Sequence, residues 1–417
     1  FSVGIIGKDS KVTLDGGQVS SGKYSMGVGI VSILEDAVLE IKAGSISLGE
    51  ESIYNYIKNV SLLGKTATLY DNSGGYYDLN LPKQVGIYSI EGNVYSNKTI
   101  NVRAGTDSKG VYVENGTLGD ITISGLTVNV ESGETGIVAR NDSASLKYTN
   151  LNNNINVIGN SAEGLLHEGG NVLNSGKIII NGSGSFGIIS VVGNLTNFGE
   201  LNNFASVDVN GESSVGIYGV TIGSGNLKVN NNALITVADS RENAVSTGIY
   251  GKNNTVIDNN GGLEIGQNSV GIYNDGILVN HANGTINVDK LGIGFYTRGG
   301  QLQINSGTVN MENGYAIGVY ATDFSYVVNN GAVNIGGSKT NLDNELLYGS
   351  FGFVSKNGSD VINNGSINMG VAALGMYSDN SKITNNGYID NYGDALDIMD
   401  SRAGMYGINN SIITNIN

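Results

Sequence analysis

The chain has 417 residues, with 37 acidic and 22 basic side chains, a net charge of −15, and neither cysteine nor tryptophan. That balance excludes nucleic acid and anionic membrane surfaces as partners, because there is no basic patch to neutralise phosphates. Disulfides are excluded outright, and no run of 18 apolar residues is present to cross a membrane as a helix.

The chain opens on Phe1-Ser2-Val3-Gly4-Ile5-Ile6, a first loose copy of a phrase that returns throughout. The rest of residues 1–85 repeats poorly. Leu34 to Ile41 and Ser52 to Tyr56 resemble strands only distantly, so this stretch is expected to be divergent coils or a small subdomain. From Gly86 onward the phrase Gly-Ile-Tyr, or a near copy, starts at Gly86, Gly110, Gly136, Gly164, Gly187, Gly216, Gly248, Gly271, Gly294, Gly318, Gly352, Gly375 and Gly404. The cleanest gaps are 23 or 24 residues, as from Gly248 to Gly271 and from Gly294 to Gly318. A fixed period of that size marks a solenoid, whose units bury their apolar face only by stacking on one another.

A second phrase, apolar-x-Asn-x-Gly-x-apolar-x-apolar, follows the first, as in Val361-Ile362-Asn363-Asn364-Gly365-Ser366-Ile367-Asn368-Met369. Alternation at every second position predicts half-buried strands. The expected fold is therefore all-β: a right-handed parallel β-helix of roughly 23–24 residues and three short strands per coil. The 64 glycines and single proline, Pro82, fit many tight turns between strands that keep their backbone donors.

The residue after the phrase glycine is always apolar and is assigned to the core. The next is most often Tyr, at 88, 112, 218, 250, 273, 296, 320, 377 and 406. Alternation places these rings on the outside, one per coil. Such a ladder either stiffens the stack or offers Tyr250, Tyr273, Tyr296 and Tyr320 as a surface for a partner. Asn174, Asn197, Asn305, Asn329, Asn363 and Asn385 are predicted to form a ladder of their own at the turns. Asn-Gly-Ser/Thr runs at Asn283, Asn357 and Asn364 are read as turns rather than as glycosylation sites.

Four stretches near 200-213, 233-247, 338-350 and 388-403 lengthen the repeat on one leg, and insertions on one edge of a solenoid are often its binding face. Leu346, Leu347 and Tyr348 in the third, and Tyr392, Asp394, Asp397 and Asp400 in the fourth, are the candidate contact residues there. The acids lack the spacing of a calcium loop and are read as solvated, with no metal site and no cofactor expected. His167 and His281 lie in unrelated coils, so no metal cluster or serine–histidine pair is predicted. Paired carboxylates for sugar cleavage are not placed on strand positions either.

The Gly-Ile-Tyr phrase, the Asn-Asn-Gly-x-Ile turns, the missing cysteine and the low charge resemble the passenger repeats of large fusobacterial autotransporter adhesins, over about residues 80 to 417. The resemblance implies an extracellular segment of a bacterial surface protein, carried by a C-terminal outer-membrane barrel outside this piece. It implies partners among host cell-surface proteins or glycans, or other bacteria. The expected function is a non-enzymatic, monomeric adhesin segment. A structural stalk is the alternative, and a polysaccharide-cleaving β-helix the remote one.

Overall fold

The computed structural model describes residues 2–116, 118–141, 147–193, 198–304, 307–311, 314–336, 349–370, 372–391 and 403–416. All regular elements in them are β-strands, and successive coils pair parallel, so the chain is a parallel β-solenoid. It divides into two compact units, residues 1–207 with 221–227, and residues 208–220 with 228–417.

The second unit follows the predicted plan. One coil runs Val270–Asn274, Ile277–Asn280 and Thr285–Val288, and the next repeats it as Ile293–Arg298, Gln301–Ile304 and Thr308–Met311. These form a first, a second and a third face. Like residues stack on like: Ile272 pairs with Phe295 and Phe295 with Val319, while Ile286 pairs with Val309 and Val309 with Val333. All six are at most 1% exposed and fill the interior.

On the first face strict alternation fails at the phrase glycine. In Val270–Asn274 both Gly271 and Ile272 are buried, while Val270 and Tyr273 on either side point outward. A Cβ built on Gly271 would lie 2.5 Å from the carbonyl oxygen of Gly294, and on Gly294 2.7 Å from that of Gly318. The phrase glycine is therefore a close-approach residue inside the strand expected on the Gly-Ile-Tyr phrase. Its φ lies outside the left-handed region.

The first unit resolves residues 1–85 into coils of the same kind. Ile5 pairs with Val28, Val28 with Asn55, and Asn55 with Ile87. The phrase is disguised because Tyr54 stands in the glycine's place and Asn55 in the isoleucine's. Asn55 is fully buried, donating to the Tyr77 hydroxyl at 2.9 Å, which in turn donates to Asp71 at 2.9 Å. Second and third faces here merge into long strands, Lys11–Ser21 paired with Ala37–Leu48 and Ile121–Val130 with Tyr148–Val157, bent by bulges at Asp15 and between Ser124 and Thr127.

The stretch 200-213 is ordinary coil rather than an insertion. It holds part of Phe198–Asn203 and all of Val207–Val209, and Gly199, spaced from Gly187 as Gly176 is from Gly164, pairs with Gly170 instead. The stretch 233-247 contains Ile235–Val237 and then a folded turn, where Ser240 is buried against Ser269 at 2.8 Å and Arg241 pairs with Glu212 at 2.8 Å. Residues 337–348 and 392–402 lie outside the described residues.

Candidate functional site

The first face of the second unit carries two outward rows. Val270, Ile293 and Ile317 precede the phrase glycines, and Tyr273, Tyr296 and Tyr320 follow them, all half-buried. Two successive inward positions, the glycine and the apolar residue after it, set the spacing between the rows. The tyrosine rings form the predicted ladder: Tyr250 and Tyr273 have centroids 4.5 Å apart, Tyr273 and Tyr296 4.9 Å, and Tyr296 and Tyr320 5.1 Å. The last two pairs are within 10° of parallel, so each ring covers part of its neighbour's flat side and turns an edge to solvent. Partial burial, followed by the neighbouring Tyr273 hydroxyl, pushes the Tyr250 phenol up to about 12. After Tyr320 the row passes through buried Val354 before resuming at Tyr377.

The third face is built differently. Its outward positions are Thr285 and Asn287, then Thr308 and Asn310, then Ala332 and Asn334. Their amides chain from coil to coil: Asn310 donates to Asn287 at 2.8 Å, Asn334 to Asn310 at 2.8 Å, and Asn368 to Asn334 at 2.7 Å. At one end of this row a shallow groove of about 410 Å³ is floored by Thr236, Glu264 and Asn287. Its acids are engaged by nearby groups: Glu264 accepts from Asn287, Asp239 from the Gln267 amide, and Asp289 from the Lys290 amide.

A second asparagine ladder lies inside, at the ends of the second-face strands. Asn259 donates to Asn280 at 2.8 Å, Asn329 to Asn363 at 2.7 Å, and Asn363 to Asn385 at 2.7 Å. Each amide also donates to a carbonyl of its own turn, such as Gly261, Gly331 or Gly365. This is the predicted ladder with one register correction. In the first unit Asn174 donates to Asn203, the true rung, at 2.9 Å. Asn197 and Asn305 lie outside the described residues.

The structure does bring a serine to a histidine, contrary to the sequence reading. His167 Nδ1 lies 2.7 Å from Ser190 Oγ, and its Nε2 meets the carbonyls of Gly169 and Gly170 at 2.9 and 3.1 Å. Both residues are fully buried, and burial lowers the imidazole to about 4. The signal was available: the two residues are 23 apart, one coil, and pair in register. With no route for a substrate, the pair is a buried hydrogen bond that holds the neutral ring. His281 sits elsewhere, 3.3 Å from Asp258. Among the described residues no three His, Cys, Asp or Glu side chains gather as a metal ion would need.

Of the sequence-predicted contact residues, Tyr250, Tyr273, Tyr296 and Tyr320 are brought together on one face. Leu346, Leu347, Tyr348, Tyr392, Asp394, Asp397 and Asp400 lie outside the described residues. Sequence reasoning passed over the aliphatic row beside the tyrosines, and over Phe324, which is 81% exposed at a turn.

No protein-family model matches the chain, and no curated protein matches it. Among solved structures it is similar to a chain in the cryo-EM structure of the complex of the Bordetella protein Vag8 with C1 inhibitor. Identity there is 12%, with 97% of this chain and 99% of that chain covered at a TM-score of 0.35.

Proposed function

We propose that this chain is a non-enzymatic segment of an extracellular autotransporter adhesin, and that the tyrosine-lined first face docks on another cell's surface. The observation that carries the reading is the contrast between two outward faces. Folding alone is satisfied by the polar third face, with its threonines and asparagines, whereas the first face keeps Ile293 with Tyr296 and Ile317 with Tyr320 half in water. A contiguous apolar strip of this kind is the usual mark of an interaction surface. The repeat phrase and the cysteine-free composition support a bacterial surface location, and the stretches at 338-350 and 388-403 would add to the contact. Rings that cover each other leave edges and hydroxyls outward, which favours a protein surface over a sugar stacked on a ring.

The same parallel rings also favour a second reading, a stalk whose ladder only stiffens successive coils. Labelling of epithelial, immune and bacterial cells with the fluorescent chain separates the two. The double variant Ile293→Thr/Tyr296→Thr puts threonine, a good strand former, at both positions and is expected to lower labelling by about tenfold. Unchanged labelling by that folded variant would move the adhesive site off this face, and no labelling by the parent chain would leave the stalk.

A further inference from the structure

At several corners between first and second faces of the second unit two successive residues take the left-handed region, and their sequence follows a rule. The pairs are Asn253-Asn254, Asn357-Gly358 and Asn409-Asn410, residues that tolerate such backbone, while at Gly299-Gly300 only Gly299 is left-handed. One coil breaks the rule with Asp323-Phe324, at φ 55° and 65°. A bulky residue at positive φ is strained, and Phe324 is also 81% exposed, so it costs the fold twice.

The surroundings hold that ring in place rather than hide it. Asp323 accepts from Arg298 Nε at 2.8 Å and from Asn357 Nδ2 at 3.0 Å, and the Phe324 amide donates to the Asn357 carbonyl at 3.1 Å. Glycine flanks it in both neighbouring coils. A Cβ on Gly358 would come within 2.6 Å of the ring, and Gly299-Gly300 on the other side carries no side chain. The result is an exposed apolar knob on a hydrogen-bonded base whose Asp323 is paired with Arg298, beside the tyrosine row.

We propose that Phe324 is the anchor of the adhesive contact, inserting into an apolar pocket of a folded protein partner. The inference rests on the adhesin reading above and adds the class of partner. A knob with its base charges already paired selects a pocket by shape, and buried aromatic anchors dominate protein interfaces. A sugar would need polar side chains around the ring to meet its hydroxyls. The adjoining turns supply glycines, and the polar side chains at the base are engaged with one another: Asp323 with Arg298 and Asn357, and Asn357 also with Thr322.

The test uses Phe324→Asn, which gives the turn the residue that Asn254 and Asn410 already hold there, with Phe324→Gly as a second variant. The probe is the fluorescent full chain on whichever epithelial, immune or bacterial cell the parent labels best. Labelling should fall about tenfold in both variants, while the thermal midpoint stays level or rises as strain is relieved. Trypsin shaving of the target cells should abolish parent labelling, and periodate oxidation of their glycans should not. Unchanged labelling by the variants, loss of fold in both, or sensitivity to periodate alone would overturn the anchor. If Ile293→Thr/Tyr296→Thr loses labelling and Phe324→Asn does not, the anchor fails and the adhesin reading stands. No labelling by the parent overturns both.

Discussion

Asn259 Nδ2 donates to Asn280 Oδ1 at 2.8 Å, and the same amide donates to the Gly261 carbonyl at 3.1 Å, with both side chains fully buried. One amide thus closes its own turn and links it to the next coil. Asn280 in turn donates to the Gly284 carbonyl at 3.0 Å. Replacing Asn280 with Ala leaves a donor of Asn259 and the Gly284 carbonyl without these partners. The expected loss is about 3 kcal/mol, read as a lower urea midpoint at unchanged slope. A loss too small to measure would mean that water replaces the rung.

The two kinds of glycine predict two sizes of effect. At Gly271 an added methyl meets the Gly294 carbonyl oxygen at 2.5 Å, whereas at Gly105, φ +75°, nothing lies within 4 Å. Gly271→Ala is expected to cost about 3 kcal/mol through overpacking, and Gly105→Ala about 1 kcal/mol through backbone strain alone. Equal losses in parallel urea titrations would contradict the close-approach role of the phrase glycine.

His167 makes stability fall in mild acid. Its folded value of about 4 lies below the ordinary 6.5, so the unfolded chain binds the extra proton first as pH drops. The contribution is intact above pH 6.5 and is lost between 6.5 and 4, amounting to about 3 kcal/mol. His167→Gln should remove this part of the acid sensitivity. Identical urea midpoint shifts between pH 7 and pH 4.5 in parent and variant would show that the imidazole is not the group responsible.

Tyr250 acts at the other end of the scale. Its phenol keeps its proton to about pH 12 in the fold but releases it near 10 when unfolded, so stability should decline from pH 10 to 12. The absorbance difference at 295 nm between parent and Tyr250→Phe should therefore rise near pH 12. A difference that rises near pH 10 would place this ring in free solvent.

Much of the fold was legible because stacking forces equivalent residues into register. Ile272, Phe295 and Val319 could be assigned to the core, and Tyr273 to the outside, from the repeat phrase alone. Where the phrase was overwritten the reading lost its footing. Tyr54-Asn55 hides a first-face strand because a buried polar network with Tyr77 and Asp71 replaces the usual apolar pair. Asn197 and Gly199 fit the second phrase by their spacing from Gly187, yet Gly199 pairs with Gly170 and the rung falls at Asn203. The candidate face was half legible: its tyrosines were named, but the aliphatic row beside them was not, since a strict alternation has no place for two successive inward residues at the glycine.

The amino-acid sequence by itself determined the solenoid, its period, its core positions and the existence of tyrosine and asparagine ladders. It could do so because each coil repeats the same demand for burial and only parallel stacking meets it. The tertiary structure decided what meets across the coils. Ser190 came to His167, the Gly294 carbonyl came to Gly271, neighbouring tyrosine rings turned parallel, and Phe324 was left standing between glycines. Those partners lie one coil away along the chain, so a shift of a few residues in loop length, invisible to periodicity, changes which side chains touch.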